Sequence, residues 1–154
     1  MSGKLYFEDF ALGQQWRYGD YLLEREEMVD FARAYDPEPF HLSTPWSEHD
    51  GEGDIIGSGL LTIAIWRRLD HEHFTPLGAQ FIAGLGFEYL RFLSPTEPGD
   101  RLHVLARCID KRASASRPDR GIVRFRCLIR NERDMTLVDF APNVMVRRRG
   151  GGTP

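Results

Sequence analysis

The segment Tyr35-Asp36-Pro37-Glu38-Pro39-Phe40-His41 places a carboxylate and an imidazole five residues apart on a stretch stiffened by two prolines. An imidazole exchanges protons near neutral pH, and a neighbouring carboxylate either orients the ring or acts as the second acid/base. Such a pair must be held near its working geometry before substrate arrives, and the fixed φ of proline limits the alternatives. On spacing alone the same residues also suit a turn capped by Asp36, with Glu38 solvated and His41 at the surface.

A second group adds to the first. Gly57-Ser58-Gly59 leads into the apolar run Leu60-Leu61-Thr62-Ile63-Ala64-Ile65-Trp66. Ser58 suits the N-cap of a helix, and the free N–H groups of a first helical turn can hold a developing oxyanion. Small residues serve any helix start, so the weight rests on the combination. An acid/base pair plus an oxyanion site is what proton chemistry beside a carbonyl requires.

The elements that must position these groups follow from periodicity. Met28, Phe31, Ala32 and Tyr35 recur at i, i+3, i+4 and i+7, which predicts an amphipathic helix that Pro37 and Pro39 bring to an end. The run after Gly59 is apolar nearly all round and predicts a helix enclosed on every side. The second half alternates. Val123, Phe125, Cys127 and Ile129 interleave with arginines, and Leu102, Val104, Ala106 and Cys108 with His103 and Arg107. Residues 86–93 and 135–148 are two further strand candidates, the last with Pro142 at a bulge or a sheet edge. One enclosed helix with a long antiparallel sheet predicts an α+β fold, the sheet curling around that helix. Nothing divides residues 1–149, so one domain is expected there, followed by a flexible tail at 150–154. An open sheet edge offers a place for a second subunit and hence a homodimer or higher homo-oligomer.

Composition narrows the function classes. The chain has 154 residues, 42% hydrophobic and 28% charged, which suits a globular domain with a core of its own. The opening MSGKLYFEDF is acidic where a secretory leader would be apolar, and no run approaches a membrane span. Cys108 and Cys127 lie in strand-like segments and read as buried thiols, so a cytoplasmic location is expected. The net charge of −3 conceals 15 acids and 6 bases in residues 1–77 against 8 acids and 14 bases in residues 78–154. The basic half lacks the basic helix or interleaved aromatics of a nucleic-acid binder. Its arginines, Arg112, Arg117 and Arg120 among them, either are solvated strand and turn residues or pair with a phosphorylated ligand. Asp70-His71-Glu72-His73 reads as a solvated helix end, and no HExxH, CxxC, GxGxxG or P-loop pattern points to a metal or nucleotide cofactor.

The order Tyr6-Phe7-Glu8-Asp9-Phe10, then Tyr35 to His41 with Ser47 beyond, then Ile56-Gly57-Ser58-Gly59-Leu60-Leu61-Thr62, resembles the MaoC-like acyl dehydratases. These are relatives of the (R)-specific enoyl-CoA hydratases. Arg91-Phe92-Leu93-Ser94-Pro95 and the turn Arg117-Pro118-Asp119-Arg120-Gly121 also look like this family, over roughly residues 5–149. The resemblance implies a hotdog fold, usually dimeric, and reversible addition of water to an enoyl thioester without a redox or metal cofactor. It implies Asp36 and His41 as the catalytic pair, Gly59 as backbone donor to the thioester carbonyl and Ser47 as the small residue beyond the pair. The family's hydratase motif usually has glycine where this chain has Tyr35, and asparagine where it has Glu38. Substrate would be a coenzyme A or acyl-carrier-protein thioester, with Ser58, Phe40, Arg117 and Arg120 as further binding candidates. Phe40, Trp46, Trp66 and Phe81 are candidates for the acyl pocket. Two other readings stay open on the same fold: a thioesterase, and a non-catalytic acyl-thioester binding subunit.

Overall fold

A computed structural model describes residues 3–43 and 53–151. A 3-10 turn at Phe7–Asp9 is followed by strand β1 (Gln15–Leu22) and helices α1 (Arg25–Tyr35), α2 (Pro39–Leu42) and α3 (Gly59–Phe74). Strands β2 (Phe81–Phe92), β3 (Arg101–Ala113), β4 (Arg120–Arg130) and β5 (Thr136–Arg147) complete the chain. The five strands form one antiparallel sheet in the order β1-β3-β4-β5-β2. Alternation along β4 puts Val123, Phe125, Cys127 and Ile129 on the inner face against α3, as their period of two requires. This α+β arrangement, a sheet wrapped around a helix, is the hotdog architecture that the resemblance implied.

α3 is buried along one face only. Leu61, Thr62, Ile65, Trp66, Leu69, Asp70 and Phe74 are buried, whereas Leu60, Ala64, Arg67 and Arg68 are exposed. The expectation of a helix enclosed on every side is therefore corrected: the sheet curls around one face and leaves the other open. An aromatic cluster closes the C-terminal end of the helix, where Phe10, Trp16, Phe81 and Phe125 surround Phe74. Burying each such ring stabilises the fold by about 1.5–3 kcal/mol. β1 crosses α3 at Gly19, whose φ of +88° and whose contact with Leu69 both exclude a side chain.

The end of the helix carries a buried polar chain. Asp70 accepts from Tyr18 Oη at 2.9 Å and from Arg67 Nη1 at 2.7 Å. The His73 ring stacks on Tyr18 with centroids 4.4 Å apart. Asp70 and His73 thus belong to the packing between α3 and β1, not to a solvated helix end as their sequence suggested. Burial raises the Asp70 carboxyl above its usual range, against the opposing pull of Tyr18 and Arg67.

Of the two places expected for Pro142, the structure shows the irregular one. Pro142 is not at a sheet edge, since β5 pairs with both β4 and β2; it faces Phe87, where the β2 register becomes irregular. The C-terminal segment is packed further than Gly150: Arg149 pairs with Asp9, and Gly151 lies against Asp119. Gly152, Thr153 and Pro154 lie outside the described residues, as do Trp46 and Ser47. Both cysteines are buried free thiols. Among the described residues no helix is long and apolar enough to cross a membrane.

Candidate active site

α1 stops where its sequence says it must. Tyr35 is its last residue, and Asp36 takes φ −152°, ψ 66°, a departure from helical geometry just before Pro37. Asp36 N–H still bonds to Ala32 O, so the carboxylate projects from a fixed helix end. Pro39 then opens the short helix α2, pre-set for its first position, and His41 rides on that turn rather than on a loop. Two backbone bonds brace it: His41 N to Glu38 O at 2.9 Å, and Ile56 N to Phe40 O at 3.0 Å.

The second bond brings Ile56 under the imidazole. His41 Nδ1 lies 2.8 Å from Ile56 O. A carbonyl only accepts, so Nδ1 carries the hydrogen, and in the neutral ring Nε2 presents its lone pair. Nε2 is 3.4 Å from Asp36 Oδ2, longer than an ordinary N–H···O bond. The two atoms therefore face the same small space without being locked to each other, and one water or one reacting atom can engage both.

Ser58 completes the frame. It is fully buried, caps α3 by accepting from Leu60 N at 3.3 Å and donates its hydroxyl to Asp36 Oδ2 at 2.6 Å. The start of α3 and the end of α1 are thus joined through one oxygen. Gly59 opens α3, and its N–H finds no acceptor among the described residues, as expected for a first-turn amide.

Asp36, His41, Gly59 and Thr62 line one cavity of about 460 Å³, together with Phe92 to Thr96 and Val138. The sequence placed Asp36, His41 and Gly59 in one site by motif, and the structure brings them together. It did not single out Phe92, Leu93, Thr62, Val138 or the Ile56 carbonyl as site groups. Ile56 and Thr62 lay in the Ile56–Thr62 stretch and Phe92 and Leu93 in the Arg91–Pro95 stretch, both part of the family resemblance, whereas Val138 lay only in a strand candidate.

Other candidates lie elsewhere. Phe40 is not a wall of this cavity; its ring packs edge-on against His41 with centroids 4.6 Å apart. Trp66 and Phe81 line a second cavity of about 440 Å³, between α3 and the β2–β5 pair. Glu38 and Tyr35 are exposed, Tyr35 resting on Phe31, and neither faces the Asp36–His41 cavity. Arg120 pairs with Arg147 in the sheet, whereas the cavity wall Val138 pairs with Ile129. Nine residues of β5 separate the two levels, roughly 30 Å at strand rise. Arg112, Arg117 and Arg120 therefore sit at the opposite end of the chain's own sheet from this cavity. Arg120 is moreover held in a two-point ion pair with Asp119. No convergent group of three or more His, Cys, Asp or Glu side chains occurs among the described residues.

A MaoC like domain model matches residues 9–124, three quarters of the chain, including both the Asp36–His41 segment and the start of α3. The chain belongs to the MaoC-like dehydratase family. Its fold matches the crystal structure of a MaoC-like dehydratase from Rhodospirillum rubrum, 36% identical, with a TM-score of 0.83 over 94% of this chain and 98% of that one. The (R)-hydratase PhaJ1 of Pseudomonas aeruginosa, 22% identical, has the same fold at a TM-score of 0.73 over 95% and 88% of the two chains. A Mycobacterium tuberculosis protein described as having a double hotdog fold matches at 18% identity and a TM-score of 0.66. It covers 98% of this chain and 46% of its own, as one half of a doubled fold would. Membership of the MaoC-like family makes a dehydratase or hydratase the general class of this enzyme.

Proposed function

We propose that this chain is a hydratase/dehydratase that adds water reversibly across the C2–C3 double bond of an enoyl thioester. The observation that carries the reading is the Asp36–His41 pair, 3.4 Å apart and sharing one cavity with the first amide of α3.

In the hydration direction the Nε2 lone pair of His41 takes a proton from water as the hydroxyl oxygen bonds to C3. The π electrons of C2=C3 shift toward the thioester carbonyl, and Gly59 N–H stabilises the negative oxygen. Collapse of that enolate takes a proton at C2 from the acid/base pair and leaves the 3-hydroxyacyl thioester. Asp36, steadied by Ser58, holds the water and balances the charge on the imidazole while the ring carries the proton. These steps use no electron carrier and no metal, and the substrate is the thioester of coenzyme A or of an acyl carrier protein.

We further propose that the working unit is a homodimer joined through β2. This is an edge strand, and residues 81–87 carry no charge while Leu85 and Phe87 remain exposed. Long, uncharged edges of this kind pair with another strand.

The test is a product assay over short, long and branched enoyl thioesters. Loss of the conjugated thioester with gain of 3-hydroxyacyl thioester supports the reading. Release of free thiol would instead assign a thioesterase, and tight binding with neither product would assign a binding subunit.

A further inference from the structure

Phe92 lies against the residue that would hold the thioester oxygen. A Cβ on Gly59 would stand 2.4 Å from Phe92 Cε1, 2.7 Å from Cζ and 2.8 Å from Cδ1, so the ring edge rests on the glycine backbone. Both residues line the cavity of Asp36 and His41. Despite this contact Phe92 is 53% exposed, beside Leu60 at 56% and Leu93 at 54%. Exposed apolar side chains grouped at the mouth of a reactive cavity mark a surface for an apolar ligand.

The geometry points to Phe92 as a specificity-determining residue that admits acyl thioesters unbranched at C2 and excludes those with a substituent there. This rests on the thioester reading above. An oxygen held by Gly59 N–H at about 2.7–3.1 Å puts the carbonyl carbon one bond away and C2 two bonds away. Those atoms border a ring already in contact with the same glycine. They must also come within reach of Asp36 and His41, which fixes them from the other direction. A flat, unbranched enoyl group can lie along the ring, whereas a methyl at C2 must displace it.

The experiment compares wild-type, Phe92→Leu and Phe92→Ala proteins in two readouts. One is the binding of two saturated thioesters, butanoyl-CoA and 2-methylpropanoyl-CoA. The other is turnover of but-2-enoyl-CoA and 2-methylbut-2-enoyl-CoA. Wild-type protein is expected to prefer the unbranched member by ~10–200-fold, the range one methyl group commands in a fitted pocket. Phe92→Ala should reduce that preference to within about threefold, with Phe92→Leu between the two. A half-exposed ring contributes little core, so a melting curve on each variant separates misfolding from altered selection. Equal affinity and turnover of branched and unbranched compounds by wild-type protein overturns the proposal, as does a preference that survives in Phe92→Ala. Selection in binding without turnover of either enoyl compound keeps Phe92 in its role and removes the hydratase reading. Turnover without selection does the reverse.

Discussion

Ser58 Oγ donates to Asp36 Oδ2 at 2.6 Å while accepting from Leu60 N at 3.3 Å, so one buried hydroxyl fastens the candidate acid/base loop to the start of the central helix. The two residues are twenty-two positions apart in sequence. Ser58→Ala is expected to cost about 1 kcal/mol of stability through loss of the cap. Turnover should fall by more than stability explains, because the carboxylate is freed to rotate. Melting temperature and turnover measured on the same samples check this; unchanged turnover would show that Ser58 is a cap and nothing more.

Asp36 and His41 are expected to act as one unit on a single water. Asp36→Asn and His41→Ala should each lower turnover by ~10²–10⁴-fold. The double variant should be little worse than either single one, since groups acting together are not additive. Independent, multiplying losses would mean that the pair does not share a step.

Gly57 and Gly59 should differ in their response to alanine. A Cβ at Gly57 would stand 2.2 Å from Oγ1 of Thr96, which is buried, so the side chain must shift within packed surroundings and Gly57→Ala should destabilise by about 1–3 kcal/mol. At Gly59 the obstacle is the half-exposed Phe92 ring, whose displacement forfeits core contacts on one side only. Gly59→Ala should melt closer to wild type and lose turnover, with the displaced ring crowding the first amide of α3. Denaturant titration and kinetics on both variants decide it.

Protonation of His103 should couple stability to pH. Its Nε2 is buried without a hydrogen-bond partner. Burial first, then Arg17 and Arg130, hold its pKa below the ordinary 6.5, with Asp134 at 3.7 Å and Asp20 opposing. The unfolded chain therefore binds a proton at a higher pH than the folded one. Stability is complete above 6.5 and is lost as pH falls from there toward the depressed folded value. His103→Gln removes this contribution, so its melting temperature should drop less than that of wild type between about pH 7.5 and 5. Parallel profiles would show that other groups control the acid limb.

The β2 edge is expected to carry the two-fold contact. Leu85→Lys places a charge in the exposed, uncharged stretch of the strand, the device by which natural edges prevent pairing. Light scattering at micromolar concentration should give a dimer for wild type and a shift toward monomer for Leu85→Lys. A monomeric wild type with full turnover would refute the assembly.

Local signals in the chain settled what local physics controls. The i, i+3, i+4, i+7 stripe fixed α1, the two prolines fixed its end, Ser58 fixed the start of α3, and strict alternation fixed β3 and β4. The acid/base pair was legible because both residues sit within one short, proline-stiffened segment. Tertiary structure alone decided what surrounds them. The partner of His41 Nδ1 is the Ile56 carbonyl, a backbone group that every residue carries and no side-chain pattern announces. Phe92 and Val138 reach the cavity through the pairing of β2 with β5, and the same register carries Arg117 and Arg120 to the other end of the sheet. α3 looked enclosed because periodicity records how apolar a face is and not whether anything covers it. Leu60 shows the difference: apolar in sequence, exposed in the fold, and seated at the mouth of the cavity.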